Sequence, residues 1–385
     1  MRFLHTADWH IGKTLRGRSR NEEFAAALDQ VASIAREAKL DAVLVAGDIF
    51  DSPAPPPEAE RLVYDFLARL MAEGIPAVLI AGNHDHPKKL AALARLLEGL
   101  RIHIRPEVRR PDDGGVVGLQ SRDGRHEARI AVLPFVPERR VFDACAVMGD
   151  SKDWYEKYAE AIEQLLRALT AGLTPATVNL VLAHVLVSGA QFGSGVRPLH
   201  LGAIYGLNAQ QLPSNVQYIG LGHLHRPQEI LAPSKTCYAG SLIELDFGEK
   251  EQDKRVVIVE AEPGGAARLE SVPLTAGRRL RDVAGNLDEL QKLARSVGDD
   301  YLRVTARVVA PLPGLSEQVK ELFPNALAVT VEYPRETPAT PSTPGLRKLS
   351  PEQLFGDYCR KRNGAEPSDE LMGLFRRLHE EASQA

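Results

Sequence analysis

Cysteine is scarce in this chain: three in 385 residues, Cys145, Cys237 and Cys359. They stand too far apart for a zinc knuckle or a dithiol motif, so reduced packing residues of a cytosolic protein are expected. Long apolar runs are missing too, which excludes a membrane-spanning helix of roughly 20 residues. Met1 precedes the first apolar run directly, so no leader segment is expected. Neither sign of charge dominates. The 47 Lys and Arg against 51 Asp and Glu leave a formal charge of −4. That argues against a protein that coats nucleic acid by bulk electrostatics, but a local basic groove remains possible, because two divalent ions would reverse the field around one site.

Five short apolar runs stand out, and each ends in residues able to bind metal or move protons. Residues 2–6 lead into Asp8 and His10, and 41–46 into Asp48. Residues 75–81 lead into Asn83, His84 and Asp85, 178–183 into His184, and 218–222 into His223 and His225. Short hydrophobic runs separated by helical stretches read as buried strands, and α/β sheets bind ligands beyond the carboxyl ends of their strands. Asp, His and Asn brought to one edge by five strands describe a dinuclear metal site.

Between these runs the pattern is helical. Phe24, Leu28, Val31, Ala35 and Ala38 mark one face of a helix. A proline cluster over 53–57 opens a second over 58–72, with Leu62, Phe66, Leu67 and Leu70 as its stripe, and a third covers 87–97. Residues 101–135 have β character with a strand at 130–133, and a helix is expected over 154–170. A glycine-rich loop spans 188–195, and 237–245 with 255–259 should complete a second sheet. The expected fold is α/β, a two-sheet sandwich flanked by helices, over 1–275. A small α+β capping domain follows over 276–335, with helices at 287–295 and 316–322 and strands at 301–309 and 326–331. A proline-rich linker occupies 336–347. The tail, 348–385, reads as a helical hairpin: Ser350 and Pro351 start one helix, and Leu371, Met372, Phe375 and Leu378 line the next. It either docks on the parent domain or binds a partner by helix-in-groove packing.

Phosphodiester hydrolysis needs a nucleophile, neutralisation of charge on phosphorus, and a proton for the leaving oxygen. Two ions about 3.5–4 Å apart supply the first two. Mixed Asp, His and Asn donors suit Mn²⁺, Fe²⁺ or Zn²⁺ better than an all-oxygen Mg²⁺ site. Near neutral pH, imidazole is the side chain suited to supply the proton.

The order DxH, GD, GNHD, H, GHxH resembles the calcineurin-like metallophosphoesterase superfamily. The wider segments HTADWHIGKTL, AGDIFDSPAPP, AGNHD, GLGHLHRPQ and YAGSL are similar to the nuclease-subunit family of the bacterial SbcCD complexes. The resemblance implies Asp8, His10, Asp48 and His225 around one ion. Asp48 would bridge to a second, completed by Asn83, His184 and His223, and the pair is two Mn²⁺, with Mg²⁺, Fe²⁺ or Zn²⁺ admissible. It implies that His84 faces the scissile phosphate and assists the departing oxygen, with Asp85 orienting it. Archaeal relatives carry a second active-site His where this chain has Asp51, which makes Asp51 an alternative partner for His84. The implied activity is an exonuclease and endonuclease acting on double-stranded DNA ends and hairpins in repair and recombination. The implied assembly is a heterotetramer: a homodimer, with 58–72 and 87–97 as candidate contact helices, and an SbcC-type ATPase bound by the tail. No membrane association is expected, and the location is cytoplasmic, at the nucleoid. Rival readings are a small-molecule phosphodiesterase or phosphatase, or a non-catalytic DNA-end tether.

Lys13, Arg16, Arg18 and Arg20 follow the first metal motif as a basic loop, either solvated or in contact with DNA phosphates, and Arg197 and Arg226 extend it. His5, His103, His126, His200 and His379 read as structural, and His86 as loop surface or outer shell.

Overall fold

The computed structural model describes residues 1–97, 99–141, 158–191, 206–310, 312–333, 350–363 and 366–384. Arg197, His200, Cys145, the start of the 154–170 helix, most of the 188–195 loop and the 336–347 linker lie outside them. Two six-stranded sheets form the centre. In the first, β1 (Arg2–Thr6), β4 (Ala42–Ala46), β5 (Ala77–Ile80) and β6 (Ile102–Arg105) run parallel. Two small strands, β2 (Thr14–Leu15) and β3 (Arg18–Ser19), form a separate ribbon in the loop after β1. The second sheet holds β7 (Val116–Gln120), β8 (Glu127–Leu133), β9 (Val178–His184), β10 (Tyr218–Gly222), β11 (Gln228–Ile230) and β12 (Lys235–Tyr238). Its four inner strands are parallel, and antiparallel β7 and β11 close its edges.

One expectation is corrected. The run at 255–259 becomes β13 (Arg255–Glu260), which pairs antiparallel with β1 in the first sheet, and β14 (Arg268–Pro273) pairs outside it. Nor do residues 239–245 continue as a strand past β12. Gly240, at φ +79°, turns the chain there.

The central parallel strands β4, β5, β9 and β10 are buried along their length, as an AVLVA sequence buried on both faces requires. Phe3, Leu44, Val78, Ile80, Ile130, Leu180, Leu182 and Val257 fill the space between the sheets. Each contributes about 1.5–3 kcal/mol through burial. The helices α1 (Asn21–Glu37), α2 (Pro57–Ala72) and α3 (Pro87–Leu97) cover the outer face of the first sheet. The helix α4 (Tyr158–Thr170) covers the second through Ile162, Leu165, Leu166 and Leu169.

Residues Met1–Arg307 and Pro313–Val331 make up one compact unit. Within it a three-stranded sheet comprises β15 (Leu280–Gly285), β16 (Tyr301–Arg307) and β17 (Ala326–Glu332), with α5 (Leu287–Leu293) and α6 (Leu315–Leu322). Leu280 and Tyr301 of this sheet pack with Leu15 and Phe247. The remaining unit holds the tail helices α7 (Pro351–Asn363) and α8 (Asp369–Gln384). They pair through stacked Phe355 and Phe375 rings, 4.3 Å apart, and an Arg376–Glu352 ion pair. Among the described residues no helix is long and apolar enough to cross a membrane.

Candidate metal centre

The carboxyl ends of β1, β4, β5, β9 and β10 bring all seven sequence-expected ligands together. The loops after β1 and β4 are zipped by main-chain bonds, Asp8 N to Gly47 O at 3.0 Å and His10 N to Asp48 O at 2.9 Å. To turn so sharply, Asp8, His10 and Asp48 adopt left-handed backbone, with φ of 51°, 49° and 50°. Such conformations disfavour L side chains and persist where the surroundings over-determine them, often at functional sites. Gly82 and Gly222 are needed for another reason: close approach. A Cβ on Gly82 would overlap the Asp48 carboxylate, and one on Gly222 would overlap the Ala46 carbonyl oxygen.

Asp48 lies at the centre. Its Oδ2 is 3.4 Å from His10 Nε2 and 3.5 Å from His184 Nε2, while Oδ1 accepts the His84 amide at 2.8 Å. Asp8 Oδ1 accepts the His223 amide at 2.8 Å. Asn83 Oδ1 lies 3.0 Å from both His184 Nε2 and His223 Nδ1. His184 Nδ1 donates to the Ala46 carbonyl at 2.8 Å, which leaves its Nε2 as a free electron pair facing Asp48 and Asn83. His225 Nδ1 is likewise engaged, by Glu249 at 2.7 Å. The His10 ring sits edge-on to both His225 and His84, at 4.7 and 4.6 Å.

The donor set fits cations. Asp8 Oδ2 and His10 Nε2 are buried without a hydrogen-bond partner, an arrangement that is costly unless something else meets them. Ligand atoms of Asp8, His10 and His225 lie within 4.8 Å of one another, as do those of Asp8, Asp48 and His184. The electrostatics agree. Burial and the neighbouring His184 hold the His223 imidazole neutral, its pKa down to about 3. Burial also lowers His10 against the pull of Asp51, and it raises the Asp8 carboxyl despite the surrounding imidazoles. Asp48 resists the same burial because His184 and His10 hold it ionised. His225 moves the other way: burial lowers it, and the Glu249 carboxylate more than compensates. Imidazoles that burial keeps neutral, as at His10 and His223, beside a carboxylate that stays ionised, as at Asp48, are the ligand states that divalent ions require.

The three expected catalytic helpers behave differently from one another. His84 lies beside the ligands, grouped with His10 and Asp48, and its Nδ1 donates to the Asp51 main-chain carbonyl at 2.8 Å. Asp85 does not orient His84. Its carboxylate accepts the amides of Ile49, Phe50 and Gly82 at 2.8–3.1 Å and so locks the β4 and β5 loops together. Burial and the Asp48 charge push its pKa to about 6. The Asp51 carboxylate faces His10 Nδ1 at 3.2 Å and Lys13 at 3.0 Å, and these partners outweigh burial to bring it down to about 2.

The basic loop divides. Arg16 and Arg18 are exposed, with Arg18 stacked over Tyr301, whereas Lys13 is tied to Asp51. Arg20 is a correction: its side chain is 1% exposed, bonded to Glu23 and to the Glu244 carbonyl, and it faces no solvent. Arg226 is exposed, as is His86, and His5 is buried on the Tyr218 hydroxyl at 2.8 Å. Two residues at the site carry no motif signal. Phe135 stacks parallel to the His223 ring and edge-on to His184, and Glu249 supports His225.

Comparison with known proteins adds kinship to geometry. A family model for the calcineurin-like phosphoesterases matches residues 1–227, and one described as the type 5 capsule protein repressor C-terminal domain matches 276–363. The SbcD subunit of nuclease SbcCD from Bacillus subtilis (strain 168) is 31% identical over 98% of this chain and 97% of its own length. Its namesake from Rhodobacter capsulatus is 30% identical over 92% of this chain and 93% of its own. Among solved structures, a dimetal phosphatase from Danio rerio aligns with a TM-score of 0.39 and 13% identity, over 71% of this chain and 99% of that one.

Proposed function

The chain belongs to the calcineurin-like phosphoesterase family, in the company of the SbcD subunits of SbcCD nucleases, and from that footing we propose that it hydrolyses DNA phosphodiesters as the nuclease component of a two-protein complex. One observation carries the reading: donors from five strand ends converge around buried atoms that have no other partner, with His84 alongside. Asp8, His10, Asp48 and His225 would hold one divalent ion, and Asp48, Asn83, His184 and His223 the other. The position of Asp48 Oδ2, between His10 and His184, supports its bridging role. Two such ions, when bound, neutralise charge on the phosphoryl group and activate the attacking water. The mixed donor set suits Mn²⁺, Fe²⁺ or Zn²⁺ better than it suits Mg²⁺, and the kinship with SbcCD nucleases makes manganese the ion of this proposal.

His84 supplies the leaving-group proton. Because the Asp51 carbonyl accepts from Nδ1, Nε2 is the nitrogen left for the departing sugar oxygen, and it gives up a proton from the doubly protonated ring, which returns to the neutral Nδ1–H form. Arg16 and Arg18 provide exposed cations, on the loop that follows His10, for phosphates of the duplex.

The tail hairpin exposes Leu354, Leu371, Leu374 and Leu378, an apolar stripe suited to helix packing with an SbcC-type ATPase. Tyr64 on α2 and Leu96 on α3 are also exposed and supply apolar contacts for a homodimer. The test is digestion of blunt and hairpin DNA with manganese, with and without the partner ATPase, beside bis-p-nitrophenyl phosphate. Cleavage of the small ester without DNA cleavage would replace this reading with a small-molecule phosphodiesterase. Cleavage of neither substrate would leave a DNA-end tether.

A further inference from the structure

Glu249 and Lys254 are each 4% exposed and meet at 2.7 Å beside His225. Desolvating two charges costs about as much as their attraction returns, so stability alone is a weak reason for a buried pair. Here the pair closes a ring around one imidazole. Glu249 Oε1 faces His225 Nδ1 at 2.7 Å, and Oε2 accepts from Lys254 Nζ at 2.7 Å and from the Leu245 amide at 3.0 Å. Lys254 Nζ then returns to the main-chain carbonyl of His225 itself, at 3.0 Å, and also reaches Ser241 Oγ at 2.8 Å. The Ser241 amide donates to the same carbonyl at 3.2 Å. Gly240 brings that segment so near that a Cβ would lie 2.7 Å from the carbonyl oxygen. The Tyr-Ala-Gly-Ser-Leu stretch at 238–242, which contributes no ligand, is therefore one wall of a cage around a ligand.

No other ligand imidazole is held this way among the described residues. His184 leans on a carbonyl, His223 on Asn83, and His10 on Asp51, which is 28% exposed and shared with Lys13. A carboxylate behind an imidazole fixes its tautomer and makes the far nitrogen a better donor. With Nδ1 engaged, the nitrogen His225 offers is Nε2.

We propose that Glu249, held by Lys254 and Ser241, is a positioning residue that fixes the His225 ring toward Asp8 and His10 and thereby sets the affinity of that one metal position. The proposal rests on the two-ion reading of the site. Loss of such a partner weakens metal binding by roughly 10–100-fold, and the loss should fall on one position only. Manganese titration by calorimetry, on the full chain, measures this in wild type, in Glu249→Gln and in Glu249→Gln/Lys254→Met. The double variant removes both charges, so no lone buried charge remains to unfold it.

The expected result is two binding events in wild type, and in both variants one event weakened about 10–100-fold with the other unchanged. Adding Glu249→Gln to His225→Ala should weaken binding no further than His225→Ala alone. Unchanged events, equal weakening of both, or failure of both variants to fold would overturn the proposal and assign the pair to the core. If wild type binds no manganese, the two-ion reading itself falls, which the titration reports separately.

Discussion

His84 is held by Asp51 through the main chain and not through the carboxylate. Its Nδ1 lies 2.8 Å from the Asp51 carbonyl oxygen, while the Asp51 carboxylate is occupied by His10 and Lys13. Removing either side chain should therefore do different things. His84→Ala should lower single-turnover DNA cleavage by about 10²–10⁴-fold and leave manganese stoichiometry intact. Asp51→Ala keeps the carbonyl, so its smaller effect should fall on metal affinity through His10. A larger cleavage defect in Asp51→Ala than in His84→Ala would reverse these roles.

Gly82→Ala should damage the centre without touching a ligand. The added methyl overlaps the Asp48 carboxylate, so that carboxylate or the β5 loop must shift. A cost of about 1–3 kcal/mol in stability is expected, together with loss of manganese binding. Calorimetry beside thermal unfolding reads both quantities.

Arg18 and Arg20, two positions apart, should part company. Charge removal at exposed Arg16 and Arg18 is expected to weaken DNA binding and reduce its salt slope by about one for each phosphate left without its cation. Arg20→Ala should leave the slope unchanged and destabilise the fold by about 3 kcal/mol, because it strands the Glu23 carboxylate that Arg20 neutralises. An unchanged slope in the Arg16 and Arg18 variants would rule out their DNA role.

The same pair gives a pH signature. Burial acts to raise the Glu23 pKa, but hydrogen bonds and charge from Arg20 overcome it and hold the group below the ordinary glutamate range. A depressed folded-state pKa means the contribution is complete above about pH 4.3, the unfolded value, and disappears as pH falls through the folded one. The Tm gap between wild type and Glu23→Gln should therefore be widest near neutral pH and close under acid. A gap that is constant from pH 7 to 3 would show that Glu23 does not stay ionised through this pair.

Chelation should lower Tm. Asp8 Oδ2 and His10 Nε2 are buried without protein partners, and a cation that binds only the folded state stabilises it by mass action. Manganese added back should raise Tm progressively with its concentration. A Tm indifferent to chelator would contradict the ligand assignment.

Much of the centre is readable in the sequence because the ligands follow directly on apolar runs, and a strand end fixes where its next few residues go. The halves of the sandwich are harder. The run at 255–260 is as apolar as its neighbours, and apolarity does not say which sheet accepts a strand; its partner is β1, at the other end of the chain. β15 is faint in the sequence because Leu280 and Val283 are its only two buried apolar side chains larger than alanine. Arg20 reads as one cation among four, since the Glu244 carbonyl that buries it lies 224 residues away. Asp85 misleads by adjacency to His84, whereas the three amides that hold it converge only after the β4 and β5 loops meet.

The two sheets touch at the centre through main chain, where Gly222 at the end of β10 meets the carbonyl oxygen of Ala46 at the end of β4. Neither partner brings a side chain into that contact, one being glycine and the other presenting its carbonyl oxygen, which also accepts from His184 Nδ1. The distance between the candidate ligands after β4 and those after β10 is thus gauged by polypeptide backbone. Substitution of side chains around the centre, at Phe135 for example, should then change what packs against the His223 ring while that span stays constant.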